Sequence, residues 1–133
     1  MLFRSPEAQA ELDIVKQLDA AATAANKPPF DIAMHALLGE IAARKGQLDE
    51  AITHLQEAKQ TEDGILYFEP PPWYYPIRHS LGAVLLRAGR AAEAEAAYRE
   101  DLKRFPENGW ALFGLLQALR AEGNAAEIGR AHV

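Results

Sequence analysis

The chain has 133 residues, a formal net charge of -5, 49% apolar and 25% charged residues, and no cysteine. That is the balance of one ordinary globular domain. Its acidity argues against a nucleic-acid binder, which needs a basic face to displace counterions. The lack of cysteine excludes disulfides, thiol catalysis and zinc–thiolate sites, and no apolar run is long enough to span a membrane.

In chain order, the first feature is the end itself. "MLFRS", residues 1–5, back-translates to the reverse complement of a common short-read sequencing adapter, with GTG as start. "EIGRAHV", residues 127–133, back-translates to the same adapter in the forward sense. Both ends are therefore expected to be foreign, and residues 6–126 to be a piece of a longer protein.

The stretch "PEAQAELDIVKQLDAAATAA" is an amphipathic leading helix, with Leu12, Val15, Leu18 and Ala22 on one stripe. "NKPPF" breaks it, so that residues 6–30 form a leading helix and linker. "DIAMHALLGEIAARKG" predicts a helix with Asp31 as N-cap and Gly46 as its stop. "QLDEAITHLQEAKQ" predicts its partner, with Ile52, Leu55 and Ala58 at helical spacing. Residues 66–74 are an insertion rich in proline and aromatics, and the next helix is expected to start at about Tyr75. "YYPIRHSLGAVLLRAG" and "RAAEAEAAYREDLKRF" make a second pair ended by Pro106. "GWALFGLLQALRAEG" opens a third, whose partner has barely begun at "NAAE". The repeats are thus 31–65, 75–108 and a truncated 109–126.

The pairs repeat. Gly46 and Ala51 follow Gly39 by 7 and 12 residues, and Gly89 and Ala94 follow Gly82 by the same intervals. Leu55 and Tyr98 each fall four residues beyond their alanine. Leu116 and Gly123 lie 34 residues beyond Gly82 and Gly89, which gives a 34-residue period. The first interval is 43 residues, one period plus the nine-residue insertion. Gly39, Gly82, Ala51 and Ala94 are expected where two helices cross closely, because a larger side chain would push the axes apart. Gly46, Gly89 and Gly123 are expected to end helices in a left-handed conformation.

With "LLGEIAARKGQLDEAITHLQEA" and "SLGAVLLRAGRAAEAEAAYREDLKRFPEN", the chain resembles the tetratricopeptide repeat proteins over about Asp31–Ala126. It also looks like the C-terminal part of long bacterial members of that family. The resemblance implies an all-α, right-handed superhelix of antiparallel helix hairpins, an α-solenoid. It implies a protein-interaction scaffold with a protein or peptide partner on its concave face, and a cytoplasmic setting. His35 and Arg78 stand where the family has an early aromatic, and Asp101 where it has an alanine.

The groove faces implied by the resemblance are Ala33, Ala36, Glu40 and Ala43 in the first repeat and His79, Ala83, Leu86 and Arg87 in the second. Those of the third are Trp110, Phe113, Gln117 and Arg120, a stripe separate from the leucines that pack the helix. Aromatics beside arginine suit a peptide with apolar side chains and a carboxylate. The other reading packs Trp110 and Phe113 on a neighbouring repeat or on the insertion. The lysine–asparagine clamp of chaperone-tail-binding members is not evident, since Ala36 and Glu40 stand in its place.

The insertion, Pro70–Pro72 followed by Trp73, Tyr74 and Tyr75, is read as a connector whose rings are buried. A groove wall that also touches ligand and a proline-motif target are the alternatives.

No catalytic, cofactor or metal residue is expected. Ser80 neighbours His79 but adjacent helical side chains diverge. His35, His54 and His79 lie on different helices, and no two are spaced as metal ligands. Glu93, Glu95, Glu100 and Asp101 are expected on a solvated face. Two other functional readings are a regulatory module of a longer enzyme and self-association through Leu112, Leu115 and Leu119, left exposed by the truncated hairpin.

Overall fold

A computed structural model describes residues 5–24, 27–66 and 73–123. Among them are six α-helices and no strand: α1 (Ser5–Ala21), α2 (Lys27–Arg44), α3 (Leu48–Gly64), α4 (Ile77–Arg87), α5 (Ala91–Arg104) and α6 (Gly109–Ala121). Of the two candidate foreign ends, only Ser5 is described, and it opens α1. "NAAE" and residues 127–133 lie outside the described residues, as do residues 67–72 of the insertion.

The chain divides into two compact units, Met1–Ile77 and Arg78–Val133. In the first, α1 packs on α2 and α2 pairs with α3. Gly39 sets the approach of α2 to α3: a Cβ there would lie 2.7 Å from Leu55 Cγ and 3.3 Å from the Ala51 carbonyl. Ala51, Ile52, Leu55 and Ala58 of α3 are buried together with Ile32, Ile41, Ala42 and Ala43 of α2. Of the leading stripe, only Leu12 is buried; Leu18 is exposed and Ala22 falls beyond the helix end. The Ile77 amide closes this unit by donating to Glu62 Oε2 and Oε1 at 3.3 and 3.4 Å.

In the second unit the same device recurs with a larger side chain. The Tyr98 ring lies where a Cβ on Gly82 of α4 would be 2.7 Å from Tyr98 Cε2, and one on Gly114 of α6 would be 2.6 Å from it. One aromatic ring thus fits against the bare backbones of two helices. Leu81, Val84, Leu85, Ala94, Tyr98, Ala111, Leu115, Ala118 and Leu119 are all buried.

Both hairpin turns end in the same hydrogen-bond pattern. Gly46 N donates to Ala43 O at 3.2 Å and Gln47 N to Ala42 O at 2.9 Å; Gly89 N and Arg90 N donate to Leu86 O and Leu85 O at 3.0 and 2.9 Å. This pairing of the last helical carbonyls needs a left-handed residue, and Gly46, Gly89 and Gly123 have φ of 79°, 74° and 72°. Asn108 caps α6, its Oδ1 accepting from Trp110 N at 3.0 Å and Ala111 N at 3.2 Å.

Two helix starts differ from the sequence reading. Asp31 is not an N-cap, because α2 already begins at Lys27 with Pro28 and Pro29 in its first turn. Proline fits there because the first-turn amides have no intrahelical acceptor to lose. Asp31 instead lies 2.9 Å from Lys27 Nζ, one turn away, and that ammonium also meets Asp19 of α1 at 2.7 Å. The second correction is that α4 starts at Ile77 and not at Tyr75, since a residue before proline is held out of the helical region and Pro76 follows Tyr75.

Candidate functional site

The sequence of α6 separates its two faces. Ala111, Gly114, Leu115, Ala118 and Leu119 are buried. Trp110, Phe113, Gln117 and Arg120 fall within an arc of about 80° on the opposite side at 100° per residue. Trp110 is 77% exposed and Phe113 58% exposed, Arg120 is exposed and Gln117 is half-buried. Among the described residues these two rings stand exposed on a helix whose other face is buried.

The leucines are corrected in the opposite sense. Leu115 and Leu119 are buried against their own unit at 1% and 0% exposure, and Leu112 and Leu116 are half-buried. The α5–α6 pairing takes up this face, so these side chains do not form the exposed self-association stripe expected of a truncated hairpin.

On α4, Arg87 and Ala83 are exposed and Leu86 is half-buried. His79 is engaged inward: its Nε2 lies 2.9 Å from Oδ2 of Asp101 on α5, and Asp101 is fully buried. Asp101 therefore does not belong to the solvated acidic face, which keeps Glu93 and Glu100 exposed and Glu95 half-buried. Helical geometry explains this, since Asp101 falls three residues after Tyr98 and shares its inward side. Arg78, beside His79, is also buried. The outer face of α5 is laced by short-range ion pairs, with Arg90 Nη2 at 2.6 Å from Glu93 Oε2 and Lys103 Nζ at 2.7 Å from Glu100 Oε2. The Arg90 guanidinium holds the Glu93 carboxyl below its usual range.

On α2, Ala36 and Ala43 of the implied groove face are buried, and Ala33 and Glu40 are half-buried. The hairpin also brings together what sequence spacing kept apart. His35 of α2 and His54 of α3 meet Nδ1 to Nδ1 at 3.1 Å, with ring centroids 5.4 Å apart. His35 Nε2 lies 3.6 Å from Glu57 Oε2. No group of three or more metal-binding side chains occurs among the described residues, and none of the described helices is long and apolar enough to cross a membrane.

The described part of the insertion is a self-packed ring cluster. Trp73 lies 5.3 and 5.8 Å from the centroids of Tyr74 and Tyr75, and those two meet edge-on at 4.7 Å. Burial is uneven: Tyr74 is 84% exposed, while Trp73 and Tyr75 are half-buried. Pro70, Pro71 and Pro72 lie outside the described residues.

Gly114 and the buried His79–Asp101 pair escaped the sequence reading. Gly114 falls outside the 34-residue register, and its signal was only an extra glycine inside an apolar helix. For Asp101 the signal was its place at the alanine position of the repeat.

A family model of tetratricopeptide repeats matches residues 15–64 and again residues 80–127. No curated protein and no solved structure matches the chain.

Proposed function

We propose that this chain, which belongs to the tetratricopeptide repeat family, is a scaffold that holds a protein or peptide segment on the exposed aromatic–arginine face of its third repeat. Repeats of this family generally mediate protein–protein interaction, and the family is typically non-enzymatic. The observation that carries the proposal is the exposure of Trp110 and Phe113, at 77% and 58%, on a helix whose packing face is already complete. A large ring left in water forgoes about 25 cal/mol per Å² of apolar surface, and that burial is available to a partner.

Arg120 shares the face and Arg87 is exposed at the end of α4, which supports a ligand that offers a carboxylate beside apolar side chains. His79 Nε2 is engaged by Asp101 at 2.9 Å, so the proposal rests on the α6 face and not on this ring.

The test is fluorescence anisotropy with a labelled peptide selected from a library of apolar sequences ending in a free carboxylate. Trp110→Ala and Arg120→Ala should each weaken binding about tenfold or more, as truncated hot-spot residues do, and amidation of the peptide should act like the loss of arginine. Wild-type affinity in both variants, with helicity and melting unchanged, would refute the assignment of this face.

A further inference from the structure

A polar contact across the first hairpin joins two imidazoles rather than an acid and a base. His35 Nδ1 and His54 Nδ1 lie 3.1 Å apart in a partly buried position. A hydrogen bond at that distance requires one Nδ1 to carry a proton and the other to accept it. We infer that this contact is a proton-sensing pin: one proton on the facing pair of nitrogens closes the α2–α3 hairpin, and a second proton opens it. With both Nδ1 atoms protonated, two donors face each other with no acceptor, and the ring that took the second proton carries a positive charge in a partly buried position.

Charged groups surround the pair on each packed element. From α1 comes Asp19, held by Lys27 Nζ at 2.7 Å. On α2 itself are Lys27 and Asp31, which pair with each other at 2.9 Å. On α3 are Glu50 and Glu57, and Glu57 Oε2 stands 3.6 Å from His35 Nε2 on the far edge of that ring. Burial, and then the charge of His35, pull the His54 pKa below its usual 6.5, while Glu50 and Glu57 pull it back up; the net shift is downward. The facing carboxylates thus do not offset the combined cost of burying and charging this ring.

The sign follows. Below pH 6.5, the ordinary value for histidine, the unfolded hairpin takes up a proton that the folded one refuses. Stability of the first unit therefore falls as pH drops from about 6.5 toward the lowered His54 value. Asp19, whose pKa is lowered from 3.8, loses its own contribution only in stronger acid. The second unit contains the opposite arrangement. There His79 faces a carboxylate and not a second imidazole, its Nε2 lying 2.9 Å from Asp101 Oδ2.

The experiment is amide hydrogen exchange on the full chain from pH 8 to pH 5, corrected for intrinsic rates, comparing residues 32–62 with residues 78–121. One differential proton allows the opening constant to rise by up to about tenfold per pH unit. That rise is expected below pH 6.5 in α2 and α3 alone, and it should vanish in His35→Gln and His54→Gln. A slope that survives in both variants, or a wild-type chain with none, overturns the inference. Imidazole ¹⁵N titration of the wild-type chain covers the case of a variant that does not fold. Two independent titrations of His35 and His54 at ordinary values overturn the pin, and a second proton entering well below the first supports it. Loss of the slope on adding EDTA alone would assign the pair to a metal ion and overturn it as well.

Discussion

His79 and Asp101 hold, in the second hairpin, the positions that Ala36 and Ala58 hold in the first, 43 residues earlier. Ala58 and Asp101 are both fully buried, so the same point in the fold carries a methyl group in one repeat and a carboxylate in the next. The carboxylate is tolerable because His79 Nε2 lies 2.9 Å away, yet Asp101 Oδ1 has no hydrogen-bond partner among the described residues. Removing one member of a buried pair strands the other, at a cost of about 3 kcal/mol, whereas replacing both with apolar groups is often neutral. His79→Ala should therefore destabilise the chain strongly. Asp101→Ala leaves only His79, a neutral-capable ring whose side chain is 17% exposed and open to water, so this variant, and the double variant that rebuilds the first repeat's pair of alanines, should change stability by less than about 1 kcal/mol. Urea denaturation of the four species as a double-mutant cycle gives the coupling directly; additive single effects would mean that the pair is not a unit.

Gly114 tests the packing of Tyr98. An alanine there gains up to about 1 kcal/mol of helix propensity over glycine. Its Cβ would press on a stiff ring already held by Gly82, at 2.6 Å from Cε2, and overpacking costs about 1–3 kcal/mol. Gly114→Ala and Gly82→Ala should both lower the melting temperature. Gly109→Ala is the control: nothing lies within 4 Å of a Cβ there and its φ is ordinary, so it should raise stability slightly. If Gly114→Ala melts higher than the parent, the ring is not clamped between the two backbones.

Much of this was legible in the residues. The 34-residue register located five of the six helices and the three left-handed glycines that end α2, α4 and α6, because glycine at a fixed distance from a close helix crossing is a strong local constraint. What failed was reading single helices for pairings made across a hairpin. His35 and His54 are 19 residues apart and on separate helices, and only the crossing at Gly39 makes them neighbours. Asp101 looked like one more acidic residue in a run of them, since composition does not say which turn of a helix faces inward. The Trp110 stripe was legible as a face, but whether that face was covered depended on packing that no spacing encodes.

Tyr98 makes the second unit sensitive to alkali. Burial raises its phenol pKa above the usual 10.0, because the phenolate would lose its hydration. Above pH 10 the unfolded chain ionises this tyrosine while the folded one resists, so stability falls as pH rises through that region. Tyr98→Phe should flatten the alkaline limb of a melting-temperature profile while leaving the neutral value within about 1 kcal/mol in stability. Tyr74, which is 84% exposed, serves as the contrast: Tyr74→Phe should leave the limb in place. A limb unchanged by Tyr98→Phe would place the sensitivity elsewhere, with Lys27 first to be examined because its ion pairs with Asp19 and Asp31 raise its pKa.

The two tryptophans report on opposite environments. Trp110 is 77% exposed on α6, whereas Trp73 is half-buried among Tyr74 and Tyr75 and its Nε1 is buried. Iodide should therefore quench the emission in two fractions, one accessible and red-shifted, the other shielded. Trp110→Phe should remove the accessible fraction and leave a blue-shifted, poorly quenched spectrum; Trp73→Phe should do the reverse. The same readout bears on the binding face, because a peptide seated on α6 must protect the accessible fraction and leave the Trp73 emission alone. Protection of Trp73 instead would move the ligand to the ring cluster and away from α6.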